Sequence, residues 1–114
     1  MKALATKANT VALLMAGRTL ISDPEAWCAG ALAKLKDGCP TSATNPLAAR
    51  WCMFGSLRAF TEWDSPLYAR GLQAIVKQLP KRYRAHPALY NDEKGHRAVI
   101  AAMDRAIDAA WMGY

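Results

Sequence analysis

The stretch SPLYARGLQAIVKQLP, residues 65–80, carries a helix together with its start and stop signals. Ser65 is a residue whose side-chain oxygen accepts from a first-turn amide, and Pro66 follows where a missing N–H costs nothing. Tyr68, Leu72, Ile75, Val76 and Leu79 then keep a helical period until Pro80 ends it. Proline stops the helix because it has no donor and its ring clashes with the preceding turn.

Working outward, the same grammar recurs. Asn45 followed by Pro46 predicts another helix start, with Leu47, Trp51, Phe54 and Leu57 on one stripe. Past the interval 80–95, read as a loop with two prolines, Val99, Ile100, Met103, Ile107, Ala110 and Trp111 predict a last amphipathic helix. On the other side, Leu4, Ala8, Val11, Leu14 and Met15 predict a first helix from Ala3 to Gly17. Ser22 three residues before Glu25, with Pro24 between them, reads as a capping box opening a helix near Asp23. Gly30 and the turn-like DGCP at 37–40 leave Ala31–Thr41 open between helix and a short hairpin. The expected fold is therefore all-α, one domain over residues 1–114, a compact bundle of about five helical segments.

Composition fits such a domain. Apolar residues make up 53% of the 114-residue chain and charged residues 21%, too hydrophobic for a disordered chain and too often interrupted by charge for a membrane protein. The longest apolar run, Val11–Gly17, falls far short of the roughly 20 residues a spanning helix needs. Lys2 and Lys7 ahead of VALLMA resemble the start of a signal peptide, but Asn9 and Thr10 intrude and no small-x-small cleavage site follows. Cys28, Cys39 and Cys52 form an odd set without a CxxC pair, so neither a disulfide framework nor a zinc site is predicted, and a cytoplasmic location fits. A formal net charge of +6 predicts an anionic partner: an acidic protein or ribonucleoprotein surface, a nucleic acid or a nucleotide.

One internal echo stands out: Trp27, Cys28, Gly30, Ala31, Leu32 against Trp51, Cys52, Gly55, Ser56, Leu57. Small residues let two segments approach closely while each tryptophan covers the contact, so a shared core is the reading. With Ala33, Asp37, Gly38, Arg50, Asn91, Asp92 and Val99, these residues resemble a family of small uncharacterised proteins of bacteria and their phages that share W(C)xGALA, RWCxxGA and ND motifs. Ser56 stands where the family pattern has alanine, and Lys34 to Lys36 is less acidic than that pattern. The resemblance implies a small helical fold of phage or mobile-element origin, and by analogy an inhibitor or sequestering factor of host machinery, including anti-defence proteins such as anti-CRISPR-like inhibitors. It implies no catalytic residues.

Chemistry-bearing motifs are sparse. No GxGxxG, GxxxxGK(S/T) or GxSxG occurs, and His86 and His96 have no metal-ligand spacing, so no cofactor or metal is expected. Asn91, Asp92 and Glu93 read as caps of the last helix. Cys52 in the first turns of its helix, with His96 and Asn91 or Asp92, is the one candidate for a cysteine-dependent enzyme, set against the reading of Cys52 as a small buried hydrophobe. The densest charge block is Lys77, Lys81, Arg82, Arg84 and His86 with Tyr83 among them. Cations beside a helix C-terminus are one explanation of that block; arginines forking onto phosphates or carboxylates, with Tyr83 stacking on a base, are the other. Trp63, between Glu62 and Asp64, is the tryptophan expected at the surface. The expected function is binding through this basic surface, with a nucleic-acid-binding regulator as the alternative.

Overall fold

The computed structural model describes residues 4–113, and the helix expected at residues 65–80 is there. It runs Pro66–Val76 (α3), with Ser65 Oγ accepting from Leu67 N at 3.1 Å and Lys77 as its C-cap. Leu67, Gly71 and Ile75 point inward at four-residue intervals, and Leu79 packs beyond the last turn. The first helix, α1 (Lys7–Leu20), is capped by Thr6, whose side chain accepts from Asn9 N; the start expected at Ala3 lies outside the described residues. Gly17 is no stop signal. It lies inside α1, where an added Cβ would come 2.8 Å from Leu57 Cδ2 and 2.9 Å from Ser56 Oγ. The buried face of α1 is Val11, Leu13 and Leu14, while Leu4 and Met15 of the expected stripe are exposed.

The all-α expectation needs correction, because the middle of the chain builds a three-stranded antiparallel sheet. Ala33–Leu35 (β1) pairs with Pro40–Thr41 (β2) through a tight turn in which Gly38 adopts φ 93°. This is the hairpin side of the reading left open for Ala31–Thr41. Ala48–Trp51 (β3) lies along the other edge of β1, with Ala33 opposite Trp51 and a bulge between Lys34 and Leu35. Asn45 therefore opens no helix: its Oδ1 accepts from Leu47 N, and its carbonyl from Ala48 N, so the chain turns and continues extended. A side-chain cap of this kind serves a turn as well as a helix. Leu47, counted on a helical stripe, is exposed. Near Asp23 there is only a 3-10 turn, Pro24–Ala26, capped by Asp23 and not by Ser22, whose hydroxyl donates to Arg18 O.

Three further helices follow from the C-terminal side of the sheet onward. Met53–Arg58 (α2) starts immediately after β3. Residues 87–94 form Pro87–Lys94 (α4) where a loop was expected, and Gly95, at φ 86°, turns the chain into His96–Met112 (α5). The described residues thus form five α-helices, though not the five segments read from the sequence. Leu14, Met53, Leu57, Ile75, Leu79, Val99 and Met103 are the large apolar side chains at the centre, where α1, α2, α3 and α5 meet. Trp111 at the end of α5 is exposed, as is Trp63. No helix among the described residues is long and apolar enough to cross a membrane.

The sheet and α2 meet at the two echoed segments. Trp27 forms a parallel bridge with Trp51, Cys28 N donates to Trp51 O at 3.1 Å, and Cys52 N donates to Leu32 O at 3.0 Å. Gly55 sits so close to this seam that an added Cβ would be 1.8 Å from Leu32 O. A backbone oxygen cannot rotate away as a side chain can. Gly55→Ala should therefore destabilise by at least about 3 kcal/mol, and Gly17→Ala, which meets only side-chain tips, by about 1 kcal/mol. Urea unfolding of the two variants measures the order.

Candidate functional site

The basic segment expected to carry binding divides when its geometry is seen. Lys81–Tyr83 form a 3-10 turn after Pro80, which leaves Lys81 and Arg82 exposed. Tyr83 is not available to stack on a base: it is only 6% exposed and packs edge-on against Tyr90, with ring centroids 5.3 Å apart. The two tyrosines lock the turn onto α4. The Arg82 guanidinium lies 4.9 Å and the Lys94 ammonium 6.0 Å from the centroid of the Tyr83 ring, so the ring serves as a platform for two cations. Both cations, with Glu93 and Leu89, rim one shallow hollow of about 440 Å³.

Arg84 follows the structural explanation of the charge block. Its Nε donates to Leu79 O at 3.1 Å and its Nη2 to Lys77 O at 3.2 Å, closing the open carbonyls at the end of α3. Arg105 of α5 does the same for Gln78 O at 3.3 Å. His86 occupies the N-cap position of α4 without a capping hydrogen bond, and its side chain is exposed. Lys77, Lys81, Arg82, Arg84, His86, Lys94 and Arg105 are all exposed, and none of them makes an ion pair among the described residues. Lys94 and Arg105 were missed from the sequence. Pro87, a residue suited to a first helical turn, was the available signal that α4 would bring Lys94 back toward Arg82.

The cysteine constellation is assembled only in part: Cys52, Asn91 and Asp92 line one cleft, and His96 is not among its lining residues. Cys52 is the N-cap of α2, buried, with its sulfur accepting from Gly55 N at 3.2 Å. Burial pushes its thiol up to about 11. His96 Nε2 is 2.6 Å from Ile21 O, its ring 6.0 Å from that of Trp27, and no hydrogen bond joins it to Cys52 among the described residues. Cys28 is also buried with its thiol raised by desolvation, whereas Cys39 is exposed; all three are free.

Asn91 and Asp92 cap nothing at the last helix, because both lie inside α4. Asn91, 1% exposed, accepts from Trp27 Nε1 and from Met53 N, each at 2.9 Å, and donates to Cys28 O and to Asp92 Oδ1. Asp92 Oδ1 also accepts from Gly30 N at 3.0 Å. One amide therefore ties together the Trp27 segment, the start of α2 and α4. The cleft that Asn91 shares with Cys52 and Asp92, of about 220 Å³, is lined by Leu32, Phe54 and Ala88 as well, and is below the usual size of a small-molecule site.

Asn91→Ala strands a half-buried indole N–H, a buried backbone N–H and a buried carbonyl, and should cost about 3 kcal/mol in urea unfolding. Native thiol labelling should modify Cys39 quickly and Cys28 and Cys52 slowly. Since the folded state holds Cys52 protonated, its contribution is fully present below the ordinary thiol value of 9.0 and is lost as pH rises toward about 11. Cys52→Ser should flatten that alkaline loss in a thermal-melt series.

Comparison with known proteins places the chain. No curated protein and no solved structure matches it. The family of unknown function DUF6197 matches over residues 5–109, nearly the whole length, which agrees with the resemblance to an uncharacterised family. The chain belongs to DUF6197.

Proposed function

We propose that this domain acts by binding, as a sequestering factor that covers an acidic surface on a host macromolecule. The observation that carries this reading is the exposed cationic region at the α3–α4 junction, in which Lys81, Arg82 and Lys94 make no ion pair among the described residues although Glu93 shares the rim of the Arg82–Lys94 hollow. Unpaired cations on a fixed support extend their field into solvent and accelerate encounter with an anionic surface. Burial of Tyr83 favours an acidic protein or ribonucleoprotein surface over single-stranded nucleic acid, which needs aromatic faces for its bases. The phage or mobile-element origin implied by the motifs makes host machinery, defence systems included, the target class.

Arg82 and Lys94 are the residues assigned to contact, with Lys81 and His86 at the rim and Arg84 supporting the end of α3. A charge-reversed variant, Lys81→Glu, Arg82→Glu and Lys94→Glu, keeps the buried Tyr83–Tyr90 pair and should retain the fold by circular dichroism. Used as bait beside the parent protein in nuclease-treated host lysate, it should lose the specific partner. The parent's association rate should fall about tenfold between low and physiological salt, since screening acts over about 8 Å at 0.15 M. Retention of the partner by the folded variant excludes this surface. Loss of the partner on nuclease treatment transfers the assignment to a nucleic-acid-binding regulator.

A further inference from the structure

A second cationic site, separate in chemistry from the partner surface, lies where α1, α3 and α5 meet. Lys7 from the first turn of α1, and Arg70 and Lys77 from α3, line one small hollow of about 70 Å³ together with Thr10, Gln73 and Ala110. That is several times the space one ordered water requires. Among the described residues no carboxylate lines it. Lys7 of α1, with Arg70 and Lys77 two turns apart along α3 and its cap, brings three like charges round one hollow, where an anion would be attracted by all three.

The usual reason for cations beside helix ends does not account for them. The carbonyls of Lys77, Gln78 and Leu79 at the end of α3 are taken by Arg84 and Arg105. At the end of α5 the N–H of Gly113 reaches the Ala109 and Ala110 carbonyls. The side chains of Arg70, Gln73 and Lys77 make no hydrogen bond or ion pair among the described residues, so their donors are free. Lys7 is steadied from outside by Trp111, whose ring centroid is 5.6 Å from its ammonium. Arg70 supplies a planar fork, the two lysines supply point charges, and the Gln73 amide supplies a neutral donor. This set suits a tetrahedral oxyanion.

We propose that this hollow binds a single phosphate group, either as free orthophosphate or as the terminal phosphate of a monoester. An internal phosphodiester fits less well, because its two ester oxygens carry chain away on both sides of a hollow of this size. The proposal does not depend on what the α3–α4 surface binds, although Lys77 borders both regions.

The test is titration of the full chain at constant ionic strength, with chloride exchanged for orthophosphate. Nitrogen-15 NMR would follow Arg70 Nε and the Gln73 side-chain amide. Saturable shifts at both groups, with a Kd on the order of 1 mM, are expected. Arg70→Gln should weaken binding about tenfold, and Arg70→Gln with Lys77→Gln should remove saturation. The charge-reversed partner-surface variant should bind orthophosphate like the parent, which separates this site from that one. A parallel titration with adenosine 5′-monophosphate identifies the source: equal affinity indicates free phosphate, and tighter binding at the same two groups a monoester. A linear response to orthophosphate with no saturation overturns the proposal, as does unchanged affinity in the folded double variant. So does binding at these groups only by an oligonucleotide that lacks terminal phosphates.

Discussion

The side-chain amide of Asn91 is the constraint on which the arrangement depends. A buried amide with its oxygen and nitrogen both engaged tolerates little displacement, because its bonds to Met53 N and Cys28 O are buried and have no water to turn to. Its distant partners come from two segments, Trp27–Cys28 and Met53. The Trp27 indole, the first amide of α2 and the carbonyl of Cys28 are thereby held to one point on α4. This fixes where the small sheet sits against the helices, and Gly55 allows the same seam to close to backbone contact.

That hub also explains why motifs suggestive of chemistry belong to the framework. Cys52, His96, Asn91 and Asp92 are residue types that catalysis uses, yet each is occupied with a structural partner. Cys52 caps α2, His96 bonds the Ile21 carbonyl, Asn91 joins three segments, and Asp92 fixes Gly30. The groups with free donors are instead the unremarkable lysines and arginines on the outside. Function, on this reading, is found in charge held at fixed positions.

Much of the helical architecture was legible because amphipathic spacing and caps act locally. Ser65–Pro66 and the stripe ending before Pro80 gave α3, and Val99 and Met103 gave the buried face of α5. The failures share a cause: a local signal with two structural uses. Asn45–Pro46 serves an Asx turn as readily as a helix, and the following residues went to a sheet whose other strands lie elsewhere in the sequence. Of the candidate site, Lys81 and Arg82 were readable as an exposed block. Burial of Tyr83 depends on Tyr90, and the closeness of Lys94 depends on α4, so neither follows from the block itself. The hollow formed by Lys7, Arg70 and Lys77 exists only once α1 packs on α3, and no spacing rule anticipates it.

The contact between α1 and α5 bears on how the molecule comes into being. Arg18 meets Asp104 across 86 positions of sequence, and His96 meets Ile21 across 75. Leu14 and Met103 share one core. While the chain is being synthesised, α1 emerges with its apolar face uncovered and its principal partner still inside the ribosome. At roughly 5–20 residues added per second, that interval lasts on the order of several seconds. During it Leu13 and Leu14 of α1 wait uncovered, because the side chains that bury them in the finished fold belong mostly to later parts of the chain.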